Sequence, residues 1–342
     1  MVLIIVIGAI FVLLALLAVF GRSMGRYAAK RILLMFLTLF VIMTICFILI
    51  KLLPLPLVKS INKDVELQKA KYEQRGYYKP IMVQYFNFWK NVLTEWNWGM
   101  GEQLYTDRAV WPVMMQKLPY TILVNLYSIL IAIPIGLAFG IYAALKKNKW
   151  QDNVISTTVM IFTSVPSYVY AFLVQLYLSV KLRWFDLTIK SLDETPLFSW
   201  QMFVSMIPAV ISLGFGVTAR LTRYTRAELS EVLTGDYMLL ARTKGLTKAQ
   251  AISRHAMRNS MVVILPMIIG EFIGIIGGSL IIERIFGIPG LGNVFVDAIA
   301  VKDYNFFMAE TFFYTVIGLA SGILTDISYG FIDPRIRMGS RK

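Results

Sequence analysis

Histidine and cysteine are almost missing from this chain. Among 342 residues there is one of each, His255 and Cys46. A lone histidine set in a basic loop excludes a histidine-built metal cluster and a Ser-His-Asp constellation. A lone cysteine inside an apolar run excludes a disulfide framework and gives no reason to expect redox work. Charge is scarce at 16% of residues and lopsided, with 34 Lys and Arg against 20 Asp and Glu. No glycine-rich loop ends in Lys-Ser or Lys-Thr, so the usual cradle for ATP phosphates is missing. The nearest glycine cluster, GIPGLG at 287–292, has the wrong spacing and reads as a tight loop. An acid pair drawn from Glu271, Glu310 and Asp326 has no motif around it. Catalysis within the chain, a bound cofactor and a metal site are therefore not expected.

Apolar sequence is what the chain has in abundance. Hydrophobic residues make up 57%, against roughly 45–50% in soluble domains. Runs near 2–20, 32–50, 120–145, 154–180, 202–219, 259–282 and 311–332 approach the ~20 residues that cross a hydrocarbon core. The expected class is an all-α polytopic membrane protein with about seven transmembrane helices. The first run has no basic residue ahead of it and a strongly basic stretch, 21–31, behind it, so it reads as a retained anchor and not a signal peptide. Short loops 21–31, 146–153 and 220–258 with the tail 333–342 hold 19 of the 34 basic residues against 5 acids. Loops 181–200 and 283–303 are near neutral. By the positive-inside rule the basic loops and the C-terminus face the cytoplasm and the N-terminus lies outside. The net charge of +14 is then a topology signal and an attraction to anionic lipid, and nucleic acid is not expected as a partner.

Residues 54–116 form an outer insertion. Its polar first part, KSINKDVELQKAKYEQRG, is expected to be helical in the middle. A second helix starts at Pro80, which suits a first turn. There Met82, Tyr85, Phe86, Trp89, Val92, Leu93 and Trp96 recur at three- and four-residue spacing, an apolar stripe rich in aromatics. Such a helix lies in the lipid interface, packs under an outer partner or caps the bundle. Glu271 falls in a run carrying Gly270, Gly274, Gly277 and Gly278; small residues favour close helix contact, and the acid is expected to face the bundle or a water-filled path. Glu310 and Asp326 sit nearer helix ends, within reach of water or head groups. These three acids are the candidates for a path across the membrane, with a hydrogen-bonded packing role as the alternative.

The polar stretch 236–259, DYMLLARTKGLTKAQAISRHAMRN, is far longer than a turn needs. Tyr237–Lys244 has good helix formers and ends at Gly245, a natural stop. Thr247 opens a new helix with Gln250 in capping-box position. Ala249, Ile252 and Ala256 are expected to share one face, with Arg254, His255 and Arg258 on another. Two arginines four residues apart repel; an acidic or hydrogen-bonding partner would relieve that, and a solvated basic surface is the other reading.

This segment resembles the EAA loop of importer-type ABC permeases in the dipeptide, oligopeptide and nickel branch. Gly245 stands at the signature glycine and Ala241 at the small residue before it, while Leu239 and Leu240 replace the usual acid and first alanine. RHAMRN (254–259) resembles the peptide branch in particular. KPIMVQYFNFWKNVL (79–93), PVMMQKLPYTILVNL (112–126), SVPSYVYAFLVQLYL (164–178) and TRAELSEVLTGDY (225–237) follow in family order. GGSLIIERIFGIPGLGNVFVDAI (277–299), KDYNFF (302–307) and DPRIR (333–337) complete it. Trp96-Asn97-Trp98-Gly99 departs from the family's Gly-Asp-Leu-Gly turn, and the run 2–20 precedes the family's first span.

The resemblance implies a type I ABC importer transmembrane fold: a six-helix core preceded by an extra N-terminal helix. Residues 1–31 would be the anchor and basic loop, 32–53 the first family helix, 117–332 the permease domain with its EAA-like loop at 222–259, and 333–342 a cytoplasmic tail. It further implies a multi-pass pore subunit of a bacterial cytoplasmic membrane that pairs with a second related permease. Two cytoplasmic ATPase subunits would drive it and an outer solute-binding protein would deliver oligopeptide, with dipeptide or nickel as alternatives. Coupling to the ATPases would run through Ala241, Arg242, Lys244, Gly245, Leu246, Thr247, Arg254, His255, Arg258 and Asn259. An ion-gradient transporter or a mere docking anchor would need no such loop.

Overall fold

The computed structural model describes residues 30–54, 62–190, 195–196 and 198–332, leaving aside the side chains of 62–65, 237 and 326–332. The expected anchor at 2–20 and the tail at 333–342 lie outside the described residues. Apart from two isolated bridges within 100–109, every regular element among them is helical. In order these are α1 (Lys30–Leu52), α2 (Asn62–Gln74), α3 (Ile81–Glu95), α4 (Val110–Leu145), α5 (Trp150–Ser164), α6 (Ser167–Val174) and α7 (Trp200–Val232). Then come α8 (Asp236–Thr243), α9 (Lys248–Ala251), α10 (Met257–Gly274), α11 (Leu280–Ile285), α12 (Leu291–Val301) and α13 (Tyr304–Ile332). Among the described residues five helices are long and apolar enough to cross a membrane, and the pair α5 and α6 makes a sixth if it is one span.

Two of the expected runs are broken. The run 154–180 bends by 101° between α5 and α6. Pro166 causes this: it forces Val165 out of the helical region, to φ −85° and ψ 129°, because its ring collides with a helical predecessor. The run 259–282 stops after Gly277, where Gly278 takes φ +62°, a conformation open to glycine and strained for other residues. By contrast α7 continues well past the expected end at 219, so Arg220, Arg223 and Arg226 are helical residues and not loop residues.

The described residues form two compact units, Met1–Lys117 with Val294–Ile323, and Leu118–Asn293 with Leu324–Lys342. In the first, α3 runs beside α1. Tyr85 and Thr44 share a hydrogen bond of 2.8 Å, and Phe40 meets Trp89 and Phe47 meets Phe88 at ring distances of 5.4 and 5.3 Å. The departing turn ends α3 with Trp96 at φ 55° and Gly99 at φ 86°. Trp98 is buried there, stacked 6.1 Å from Trp111. Asp303, fully buried, gathers the loop beneath: one carboxylate oxygen accepts from the backbone N–H of Glu102, Gln103 and Leu104 at 2.7, 2.8 and 3.0 Å. Its other oxygen caps α13 through the N–H of Phe306.

In the second unit α4 and α7 approach closely through glycine. A Cβ on Gly136 would lie 2.9 Å from the Leu221 Cβ, and one on Gly140 2.5 Å from the Thr225 Cβ. Thr222 uses the closeness to donate a hydrogen bond to the Gly136 carbonyl at 3.1 Å. Small residues supply this kind of contact where lipid offers no hydrophobic drive between helices. Gly140→Leu should therefore overpack the pair and cost about 1–3 kcal/mol, read as a lower thermal midpoint in detergent; an unchanged midpoint would contradict this packing.

Candidate functional site

The loop after α7 is built from two caps and a core of alanines. Gly245, at φ +88°, closes α8: its N–H bonds the Arg242 carbonyl at 3.0 Å and the Leu246 N–H reaches back to Ala241 at 3.3 Å. This pattern ends helices on a left-handed glycine. A Cβ on Gly245 would meet nothing within 4 Å, so the demand for glycine is conformational and not one of space. Thr247 and Gln250 form the capping box, at 3.3 and 3.0 Å. Met238, Ala241, Ala251 and Ala256 are buried against Ala144 at the end of α4 and Leu229 of α7. Arg242, Lys244, Thr247, Arg254, His255, Arg258 and Asn259 are exposed, and Leu246 is half-buried. So are Leu239 and Leu240 exposed, at 66% and 55%.

One expected face is corrected. Ala249 is exposed and Ala251 takes its place beside Ala256. The cause is a wider, five-residue turn at Ile252–Ala256, which lines up residues five apart in place of four. The turn joins α9 to α10, so the second loop helix continues directly into a span.

Of the three candidate acids, Glu271 lies on α10 and pairs with Arg220 of α7 at 2.7 Å. Glu310 is fully buried on α13, away from the water expected there. Asp326 lies on α13 with its side chain outside the described residues. Glu271 and Asp326 belong to the second unit and Glu310 to the first. Sequence reading missed Arg220, and likewise Arg226, whose guanidinium grips the buried Asp152 of α5 by two hydrogen bonds. The available signal was the isolated acid itself, since a carboxylate in an apolar run calls for a partner from another helix.

The sequence profile described as "Binding-protein-dependent transport system inner membrane component" matches residues 136–338. The chain belongs to that family. It is a multi-pass permease subunit of a binding-protein-dependent ABC importer, with the all-α type I importer fold. The dipeptide transport system permease protein DppB of Lactococcus lactis subsp. cremoris (strain MG1363) is 34% identical over 92% of this chain and 100% of its own. DppB of Bacillus subtilis (strain 168) is 31% identical, and the glutathione transport system permease protein GsiC of Escherichia coli (strain K12) 29%, each over 92% of this chain and 99% of its own.

A buried carboxylate in the permease escaped the sequence reading. Glu283 of α11 is 1% exposed. It accepts from the Thr121 hydroxyl at 3.0 Å, from the Gly292 N–H at 2.8 Å, and from the N–H groups of Ser279 and Asn293. Thr121 in turn accepts from the Leu291 N–H at 2.9 Å. A Cβ on Gly290 would strike both the carboxylate and the Thr121 hydroxyl. The glycine cluster is thus a loop wrapped round an acid. Burial pushes that carboxyl up to about 7, against hydrogen bonds that favour the anion. A raised pKa means the native state holds a proton the unfolded state has lost, so this contribution is complete below 4.5 and fades as pH rises to about 7. The difference in melting point between wild type and Glu283→Gln should shift across that window, and a difference independent of pH would contradict the assignment.

Proposed function

We propose that this permease is one half of the pore of an ATP-driven importer of oligopeptides, at the short end of that class. The relatives named for dipeptide and glutathione favour short peptides over nickel, and RHAMRN (254–259) points the same way. A second, related permease completes the pore, an outer binding protein delivers the peptide, and two cytoplasmic ATPases drive the cycle. The loop 236–259 and the C-terminus face the cytoplasm and the N-terminus the outside, by the placement of basic residues.

The observation that carries this reading is the two-sided build of the loop. Its exposed side carries the apolar Leu239 and Leu240 and the basic Arg242, Arg254, His255 and Arg258. Its inner side is the alanine core seated on α4 and α7. An ATPase that grips the first side moves the second, and α9 passes the displacement straight into α10. Nucleotide must discriminate between the two states of the pore; shifting a population from 1:99 to 99:1 takes about 5.5 kcal/mol. On the path, the Arg220–Glu271 pair suits a zwitterion, with the amino end of a peptide exchanging onto Glu271 and its carboxylate onto Arg220.

Arg254→Glu with Arg258→Glu should leave the complex assembled and cut uptake per ATP hydrolysed by about tenfold or more, since reversing interfacial charge costs several kcal/mol. Normal coupling of binding-protein-stimulated hydrolysis to uptake would sink the docking assignment. For the path, Glu271→Gln should reduce peptide uptake by about tenfold, the worth of a charge-assisted hydrogen bond, with assembly intact. Unchanged uptake kinetics would leave Glu271 a packing residue.

A further inference from the structure

A groove of about 530 Å³ runs along the second unit between α4, α5 and α7. Ile131, Ile135 and Phe139 form its α4 wall and Val154, Thr158 and Phe162 its α5 wall, each set at four-residue spacing on one helix face. Its floor is the face of α7 from Ile207 to Thr222, about 22 Å of helix. Thr218 and Thr222 turn their hydroxyls to the Ala132 and Gly136 carbonyls of α4, at 3.4 and 3.1 Å, so the floor presents hydrocarbon. The groove is open at the side, where Phe139 is 49% and Val154 55% exposed. Volume divided by length gives a section of about 24 Å². That admits one extended hydrocarbon chain, whereas an α-helix ~10 Å across needs about three times as much. The length exceeds the ~15 Å of one leaflet, half of a hydrocarbon core ~30 Å thick.

At one end the two walls run into the loop that joins α4 to α5. Lys146, Lys147 and Lys149 lie there, the last two exposed. Among the described residues none of the three has an ion pair. The nearest acid in sequence, Asp152, is buried and held by Arg226 and the Asn148 N–H. Trp150, 70% exposed, stands one turn above Val154 on the same face, and an indole is at home at a membrane interface. Lys146 stands two turns above Phe139, about 10 Å, a gap that a lysine stem lying along apolar surface spans. We infer that this groove is a binding site for an anionic phospholipid, with one acyl chain along α7 and the phosphate-bearing headgroup on Lys146, Lys147 and Lys149. The hydrocarbon lining offers nothing to a polar solute, and three unopposed cations favour an anionic headgroup over a zwitterionic one. The site does not depend on what the permease carries.

The test is photolabelling of the assembled membrane complex in phosphatidylcholine nanodiscs doped with phosphatidylglycerol that carries a diazirine in one acyl chain. Mapped adducts should fall on the walls and floor of the groove, within 131–139, 154–162 and 207–222. Lys146→Gln with Lys147→Gln and Lys149→Gln should lower this labelling about tenfold or more, since each lysine beside an anionic headgroup is worth about fivefold. Arginine at the same three positions should keep it. Thr158→Trp, a bulky change at an exposed wall residue, should remove the groove adducts and leave labelling elsewhere on the complex. Absence of adducts on the lining, wild-type labelling in the triple Gln variant, or equal labelling by the matching phosphatidylcholine probe overturns the inference. So does a benzoylphenylalanine introduced at Thr158 that captures another polypeptide, whether a second permease or residues 1–29 of this chain, in place of lipid.

Discussion

A chain that crosses lipid has to satisfy its own backbone wherever a helix stops, because no water is present to do it. This permease stops helices often, and buried carboxylates receive the loose N–H groups. Asp303 collects three successive N–H groups of the 102–104 turn and caps α13. Glu283 collects the N–H groups around two glycine turns and holds α11 to Thr121 of α4. Each acid sits where consecutive spans are joined by folded-back chain and not by a solvated loop. The glycines at 278, 290 and 292 then follow from sterics, since a Cβ at any of them would meet the Glu283 carboxylate.

Basic residues serve two ends in the same fold. As a population they are the sequence's signal for orientation, which depends only on where along the chain they fall. Individually, Arg226 locks the start of α5 to α7 through Asp152, and Arg220 meets Glu271 between α7 and α10. For the buried Asp152, removing Arg226 is far more damaging than never having built the pair, because the carboxylate is left stranded. The residues that read as a topology signal are thus also among the ones that fix how the helices meet.

Much of this was legible in the sequence. The helical class, Gly245 as a stop and Thr247 with Gln250 as a start are local rules, and the structure obeys them because nothing tertiary competes there. What was not legible is what depends on a partner far along the chain. Arg220 needs α10 before it means anything, and Glu283 sits 162 residues from Thr121. The bend at Pro166 was readable, yet an unbroken apolar run suggested a straight span because hydropathy carries no shape. The exchange of Ala251 for Ala249 came from one widened turn, a deviation from 3.6-residue periodicity that no pattern of apolar residues announces.

The length of α4 has a mechanical meaning. Thr121 near its start receives the loop round Glu283, and Ala144 at its end carries the alanine core of the 236–259 loop. The 23 residues between them amount to about 35 Å of helix, so one unbroken rod ties two distant assemblies together. A rod transmits push and twist without needing a relay of side chains. Its compliance is concentrated at Pro134, where the missing backbone hydrogen bond leaves the helix easiest to flex. The stiffness at that one residue sets how much of a displacement made at one end arrives at the other.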